Sequence, residues 1–295
     1  MERYLLTDAA GLAAVDQYGI ATVSQATARW FRQSIERLAR HCVAEFVDEV
    51  QPLDVASWVD AEQGGAIKAV TINSFLRGCK TVFSRLKRRG FIEHNPAEPV
   101  PFLREPRLSV KAITEADYMS MRSCATCCRD AAILDVLWSS GCRIGGLLTM
   151  RVDKLEDWVA ADGRICYALE VIEKFRQPRI VYVGRERLQG DGLAAWLEAR
   201  PEAFSPALWV TMGARPRPMA PSTIEGVIRQ LRIAAGVDGR PSHAHAFRHA
   251  FALRMLDQGL DLAAVSDLLG HYDPSFTAKR YAIRSESQLR GKYFG

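Results

Sequence analysis

A chain of 295 residues exceeds what one hydrophobic core usually organises, which points to two domains. With 48% hydrophobic and 25% charged residues it is neither disordered nor membrane-embedded, since no run approaches the roughly 18 apolar residues of a spanning helix. The net charge of +5, from 39 basic and 34 acidic side chains, suits a polyanionic partner but is too small to name one, so the distribution of charge matters more than its sum. Seven cysteines (Cys42, Cys79, Cys124, Cys127, Cys128, Cys142 and Cys166), with no signal peptide in MERYLLTDAAGLAAVDQYG, point to reduced thiols in the cytoplasm. Cys124, Cys127 and Cys128 resemble half of a zinc site, but no second CxxC or HxxxH pair supplies the other ligands. Structural thiols are therefore favoured, and neither a metal nor another cofactor is expected.

From Thr22 to about Pro96 the pattern reads as helices, beginning with the apolar stripe Ala26, Phe31, Ile35, Leu38 and Cys42. The clearest helix runs from about Val70 to Arg89, where Ile72, Phe75, Leu76, Cys79, Val82, Phe83 and Leu86 recur at three- and four-residue steps and form the core face. Away from that stripe lie Arg77, Lys80, Lys87 and Arg88, joined by Arg85 and Arg89, with no acid between Arg77 and Arg89. Long basic side chains commonly cover a solvated helix face. Such a face usually mixes signs to form i,i+4 pairs, so the absence of acids favours contact with a phosphate backbone through Arg77, Lys80, Arg85, Lys87 and Arg88. Gly90 ends the helix.

The segment NPAEPVPFLREPR, residues Asn95 to Arg107, holds four prolines, which remove backbone donors and disfavour helix before each ring. It divides the chain into an N-terminal helical domain (1–95), a linker (96–111) and a second domain (112–295). Thr114 followed by Asp117 resembles a helix start, and Arg129 to Ser139 continues with helical spacing. The period then changes: RICYALEVIEK and RIVYVG are rich in β-branched and aromatic residues and form a hairpin, with a further strand before Asp162-Gly163. Helices resume at Leu193 to Ala199, at Ser222 to Ala235 after a capping Ser or Thr, and at His245 to Gln258 before Gly259. The expected fold is mainly α with a small antiparallel β-sheet in the C-terminal domain.

Four pieces of the second domain, in this order, resemble the tyrosine recombinases. Gly141-Cys142-Arg143 is similar to the family's glycine-any-arginine segment, which leads into a helix ending near MRVDKLE. In VIEKFRQPRIVYVG, Lys174 stands where the family carries a lysine before the hairpin turn. His245-Ala246-Phe247-Arg248 resembles the HxxR box that opens a buried helix. Leu268-Leu269-Gly270-His271 and Lys279-Arg280-Tyr281-Ala282 resemble the second histidine and the nucleophile.

The resemblance implies a site-specific DNA recombinase that cuts and rejoins strands through a 3′-phosphotyrosine, with no metal or ATP. Phosphodiester transfer needs a nucleophile, cationic donors around phosphorus and an acid at the leaving oxygen. Arg143 and Arg248 would grip nonbridging oxygens in a bidentate way that lysine cannot copy. His245 and His271 would donate hydrogen bonds or move protons, Lys174 would protonate the departing 5′ oxygen, and Tyr281 would attack. Arg176 and Arg179 of the same hairpin are rivals for the lysine's role, and Tyr272 and Tyr293 for the nucleophile's.

Two positions depart from the family pattern. The acid usually found three residues after the arginine is Gly146, and the interval from His271 to Tyr281 is one residue longer than the commonest. These motivate a catalytically impaired DNA-binding relative as an alternative, beside a type IB topoisomerase-like enzyme. The family further implies two domains closing as a C-shaped clamp on a double-stranded recombination site, and a homotetramer on two such sites. The short stretch before the first strong helix favours a simple-site enzyme, acting in integration or excision of a mobile element or in resolution of replicon dimers. Leu289, Tyr293 and Phe294 after Tyr281 would either dock into a neighbouring protomer or pack at home.

Overall fold

The computed structural model describes residues 3–16, 18–105, 112–159, 161, 163, 165–173, 178–184, 192–237 and 243–270. The chain divides into two compact units, Met1–Arg107 and Leu108–Gly295. Among the described residues no helix is long and apolar enough to cross a membrane, and no three His, Cys, Asp or Glu side chains come together as a metal site.

The first unit is helical, with α1 (Ala9–Ala14), α2 (Gln25–Ala39), α3 (Pro52–Gln63) and α4 (Ala69–Arg88). The Ser24 side chain accepts a hydrogen bond from the Thr27 N–H and starts α2. Six of the seven periodic residues predicted for α4 are buried: Ile72, Leu76, Cys79, Val82, Phe83 and Leu86 pack with Phe31, Ile35 and Leu38 of α2 and with Trp58 of α3, while Phe75 is half-buried at the edge of that core.

The proline-rich segment departs from expectation. Rather than a linker throughout, residues 96–105 are seated on the first unit, where Ala97 and Val100 are buried in its core. A proline-rich strap cannot join a helix or sheet ladder, so its backbone needs side-chain partners. Two buried asparagines supply them. Asn73 donates to the Leu103 carbonyl (2.9 Å) and accepts from the Leu103 N–H (2.8 Å), while Asn95 accepts from the Ala97 N–H (3.0 Å).

The second unit contains α5 (Glu115–Ser123), α6 (Cys128–Ser140), α7 (Ile144–Leu147), β1 (Leu155–Val159), β2 (Ile165–Ile172), β3 (Pro178–Gly184), α8 (Gly192–Ala199), α9 (Pro221–Ala234), α10 (Ala244–Asp257) and α11 (Leu262–Leu269). The sheet is antiparallel in the order β1-β2-β3, with Leu169 of β2 opposite Leu155 and Val181. Period-2 alternation sends Tyr167, Leu169 and Val171 of β2 and Val181 and Val183 of β3 into the core. Helix α6 lies within that core and carries Asp135 into it, where the carboxylate accepts hydrogen bonds from the Tyr118 hydroxyl (2.8 Å) and Arg122 Nε (2.7 Å).

Three local expectations change. The arginine segment leads into only the single turn α7, followed by a 3₁₀ turn at Val152–Lys154, rather than a helix reaching MRVDKLE. Helix α9 starts on Pro221, whose missing N–H costs nothing in a first turn, with Ala220 as N-cap and no capping Ser or Thr. Helix α11 has no counterpart among the expected elements: Asp261 caps it, accepting from the Ala264 N–H at 2.7 Å, and Gly270 closes it.

Candidate active site

Helix α6 stops at Gly141, whose φ of 57° is the left-handed conformation that glycine tolerates best, and where an added Cβ would lie 2.8 Å from the Phe251 ring. The chain then turns through Cys142, whose thiol is pushed up to about 11 by burial, and presents Arg143 as the N-cap of α7. Glu173 follows the last residue of β2, and Arg248 projects from the buried face of α10. Three separate elements therefore converge on one point.

That point is the Glu173 carboxylate, with a side chain only 5% exposed. Its Oε1 accepts from the Arg143 backbone N–H at 2.7 Å and its Oε2 pairs with Arg143 Nη1. Arg179 Nη2 approaches Oε1 at 3.5 Å and Arg248 Nη1 at 3.8 Å. Burial alone would raise this carboxyl. The Arg143 N–H and the charges of Arg179, Arg248 and Arg143 outweigh that and hold it below the usual glutamate range, so it stays ionised.

Arg248, 4% exposed, also donates to the Gly141 carbonyl (2.9 Å) and the Leu269 carbonyl (2.6 Å). It thereby joins the ends of α6 and α11, whose last carbonyls have no partner within their own helices. Arg143 is more accessible, at 31%, and lines an open cleft of about 460 Å³ with Gly145, Gly146, Ile172, Glu173, Glu225 and His245. His245 is exposed in the first turn of α10 and faces that cleft. A guanidinium and an imidazole at the rim of a cleft, backed by buried charge, can receive an anionic ester.

Of the six residues expected at the site, the structure brings Arg143 and Arg248 together on Glu173 and places His245 on the cleft that Arg143 and Glu173 line. Lys174, His271 and Tyr281 lie outside the described residues, as do the rivals Arg176, Tyr272 and Tyr293. Arg179, the other rival to the lysine, acts differently, since its Nη1 donates to the Leu268 carbonyl (2.7 Å) and ties β3 to the end of α11.

The basic residues of α4 also separate by role. Arg77, Lys87 and Arg88 are exposed, with Arg77 lying over the Phe102 ring. Lys80 is half-buried, also over Phe102, and donates to the Glu98 carbonyl (3.0 Å). Arg85 turns inward, donating to the Ala13 carbonyl and the Thr22 hydroxyl at 3.0 Å each, and Arg89 donates to the Val15 carbonyl (2.9 Å). Those last two hold the first unit together.

Sequence reasoning missed Glu173. The signal was an acid beside the expected lysine in a chain lacking the acid at position 146, two departures that fall in different motifs and meet only in space.

Comparison with known proteins gives the family. The phage integrase family matches residues 111–288, a stretch that contains Arg143, Lys174, His245, Arg248, His271 and Tyr281. The tyrosine recombinase XerC of Pseudomonas fluorescens is 27% identical over 271 residues, covering 85% of this chain and 83% of that protein. The Tn1549 transposon integrase, solved in complex with transposon right end DNA, has a similar fold, with a TM-score of 0.73 at 16% identity over 98% of each chain. A lambda integrase dimer bound to a COC′ core site aligns with a TM-score of 0.66 at 16% identity, over 86% of this chain and 90% of that one. The motif order, the arginines gathered on one carboxylate and the match from 111 to 288 agree: this chain belongs to the phage integrase family of tyrosine recombinases and is a site-specific recombinase.

Proposed function

We propose that the protein cleaves and rejoins DNA strands through a phosphotyrosine on Tyr281. The Tyr281 oxygen attacks the scissile phosphorus and the bond to the 5′ oxygen breaks. The phenol proton passes to the histidine pair, His245 and His271, and Lys174 returns a proton to the departing 5′ oxygen. Arg143 and Arg248 hold the nonbridging oxygens. A 5′ hydroxyl from a second duplex reverses the step and releases the tyrosine, so the backbone bond is conserved without metal or ATP. The observation that carries this reading is the attachment of Arg143 and Arg248, 105 positions apart in sequence, to one buried carboxylate beside a cleft that His245 lines.

The DNA partner is a double-stranded recombination site, engaged by both domains, with the exposed Arg77, Lys87 and Arg88 and the half-buried Lys80 contacting phosphates and four protomers joining two sites. Solved relatives of similar fold bound to transposon end and core site DNA support such a partner. The cellular role is integration or excision of a mobile element or resolution of replicon dimers. Of the two motives for an impaired relative, the missing acid at 146 is answered by Glu173, whose side chain lies in the space beside Gly146.

Incubation with fragmented genomic DNA of the host should trap a DNA-protein adduct that resists SDS, and sequencing the trapped DNA would identify the site. The recovered site, rebuilt as a nicked half-site, should give the adduct with the parent and none with Tyr281→Phe. An adduct that persists in Tyr281→Phe refutes the nucleophile.

A further inference from the structure

We infer that Glu173 is the positioning residue of the phosphate-gripping arginines, delivered from the end of β2 into space that only a glycine at position 146 leaves open. This rests on the proposal that Arg143 and Arg248 hold the scissile phosphate.

Three observations carry it. Glu173 engages Arg143 twice, with one oxygen on the backbone N–H and the other on the guanidinium, which fixes both the origin and the tip of that side chain. The same carboxylate lies within ion-pair distance of Arg248 and Arg179, so one buried anion sets the mutual arrangement of three cations. A Cβ at position 146 would stand 2.8 Å from Glu173 Cγ and 3.0 Å from its Oε1. A side chain at 146 and the present seat of Glu173 therefore exclude one another, and the two positions form a pair: an acid on α7 or an acid on the strand end, but not both.

Glu173 has no reaction step of its own. By holding Arg143 with an ionised oxygen on each side of its reach, it lowers the freedom of a guanidinium that is otherwise partly exposed at the cleft. Misplacement of a positioned group by about 1 Å costs on the order of 100-fold in rate.

The test moves the carboxylate back. Glu173→Gln, Glu173→Gly, Gly146→Glu and the double variant Gly146→Glu with Glu173→Gly are compared with the parent on the nicked half-site recovered from covalent capture. Single-turnover cleavage at saturating DNA, DNA affinity and thermal melting are measured in parallel. Glu173→Gln should cleave roughly 100-fold more slowly without weaker DNA binding, a split that a purely structural role would not produce. Gly146→Glu alone should be slow, because two carboxylates then compete for one seat. The double variant should be faster than either Glu173→Gly or Gly146→Glu. Parent-like cleavage by Glu173→Gln, or a folded double variant no faster than its faster single, overturns the inference. Should Glu173→Gln fail to fold, the double variant decides alone. Absence of any adduct with the parent instead overturns the phosphotyrosine proposal, and this inference with it.

Discussion

Arg248 is expected to carry two loads, and Arg248→Lys separates them. The guanidinium donates from two different nitrogens to the Gly141 and Leu269 carbonyls, at 2.9 and 2.6 Å, in a setting where the side chain is 4% exposed. A lysine keeps the charge opposite Glu173, but its single ammonium cannot span both carbonyls, so one loses its partner. A hydrogen bond from a charged donor contributes about 1.5 to 3 kcal/mol. In a domain of this size each kcal/mol shifts the midpoint by roughly 2 to 4 °C, so the second unit should melt roughly 3 to 12 °C lower. Differential scanning calorimetry of the full chain reads that shift directly. Cleavage is then measured well below the lowered midpoint, where the variant is folded. There it should still be down by at least about 100-fold, because an ammonium cannot grip two nonbridging oxygens at once. A variant that melts with the parent would show that the two carbonyl contacts do not support the fold. One that cleaves normally at low temperature would remove Arg248 from the phosphate clamp.

On α4, Lys87→Ala combined with Arg88→Ala should lower the slope of log affinity against log salt by about two, whereas Arg85→Ala should leave the slope intact and lower the stability of the first unit by about 1 to 3 kcal/mol, since its guanidinium serves Ala13 and Thr22; gel shifts across a salt series with denaturant titration separate the two. Asp135→Asn breaks a buried ion pair with Arg122 and should cost about 3 kcal/mol or more in urea unfolding, and a loss near zero would show that the charge on Asp135 is dispensable. Because the Glu173 carboxyl is depressed in the folded state, its stabilising contribution is fully present above its ordinary value of 4.5 and is lost as pH falls through the depressed value; the stability gap between parent and Glu173→Gln should therefore be constant from pH 7 to about 5 and close on further acidification.

The fold was legible wherever a single periodicity governed a segment. Helix α4 is long and one-sided, so its stripe from Ile72 to Leu86 identified both its limits and its buried face. The capping box of Thr114 and Asp117 marked α5 just as directly. Helix α10 was found by its motif rather than by its pattern, being buried at Ala244 and from Ala246 to Ala252 with His245 exposed between them. Where local cues compete, the sequence was less informative. In α7 two glycines follow Ile144 and the helix stops after one turn. The proline-rich strap has the composition of a linker, and its attachment depends on Asn73, which lies more than twenty residues away and within a helix. Charge on α4 was likewise readable as composition but not as role, because whether an arginine points to solvent or to the Ala13 carbonyl depends on where α1 packs.

The site poses an electrostatic problem that residue types alone do not reveal. Three guanidiniums, from Arg143, Arg179 and Arg248, approach one another through a single carboxylate, so this group of four side chains carries three positive charges and one negative. Without the carboxylate, like charges in a poorly solvated pocket would drive the arginines apart or into solvent. With it, each ion pair near 4 Å is worth on the order of 4 kcal/mol of attraction at an effective dielectric of 20, before desolvation is subtracted. Two positive charges remain in excess, which still leaves an attractive field for a phosphodiester that carries one negative charge and develops more as the new bond forms. A second carboxylate in the same seat, as Gly146→Glu would introduce, would cancel half of that excess, while an uncharged residue at 173 would leave Arg179 and Arg248 only their carbonyl contacts and no anion to offset the repulsion among the cations. A single acid is thus required within reach of these arginines, and the chemistry is indifferent to whether the helix turn or the strand end supplies it. Gly146 and Glu173 are intelligible as one substitution spread over two positions.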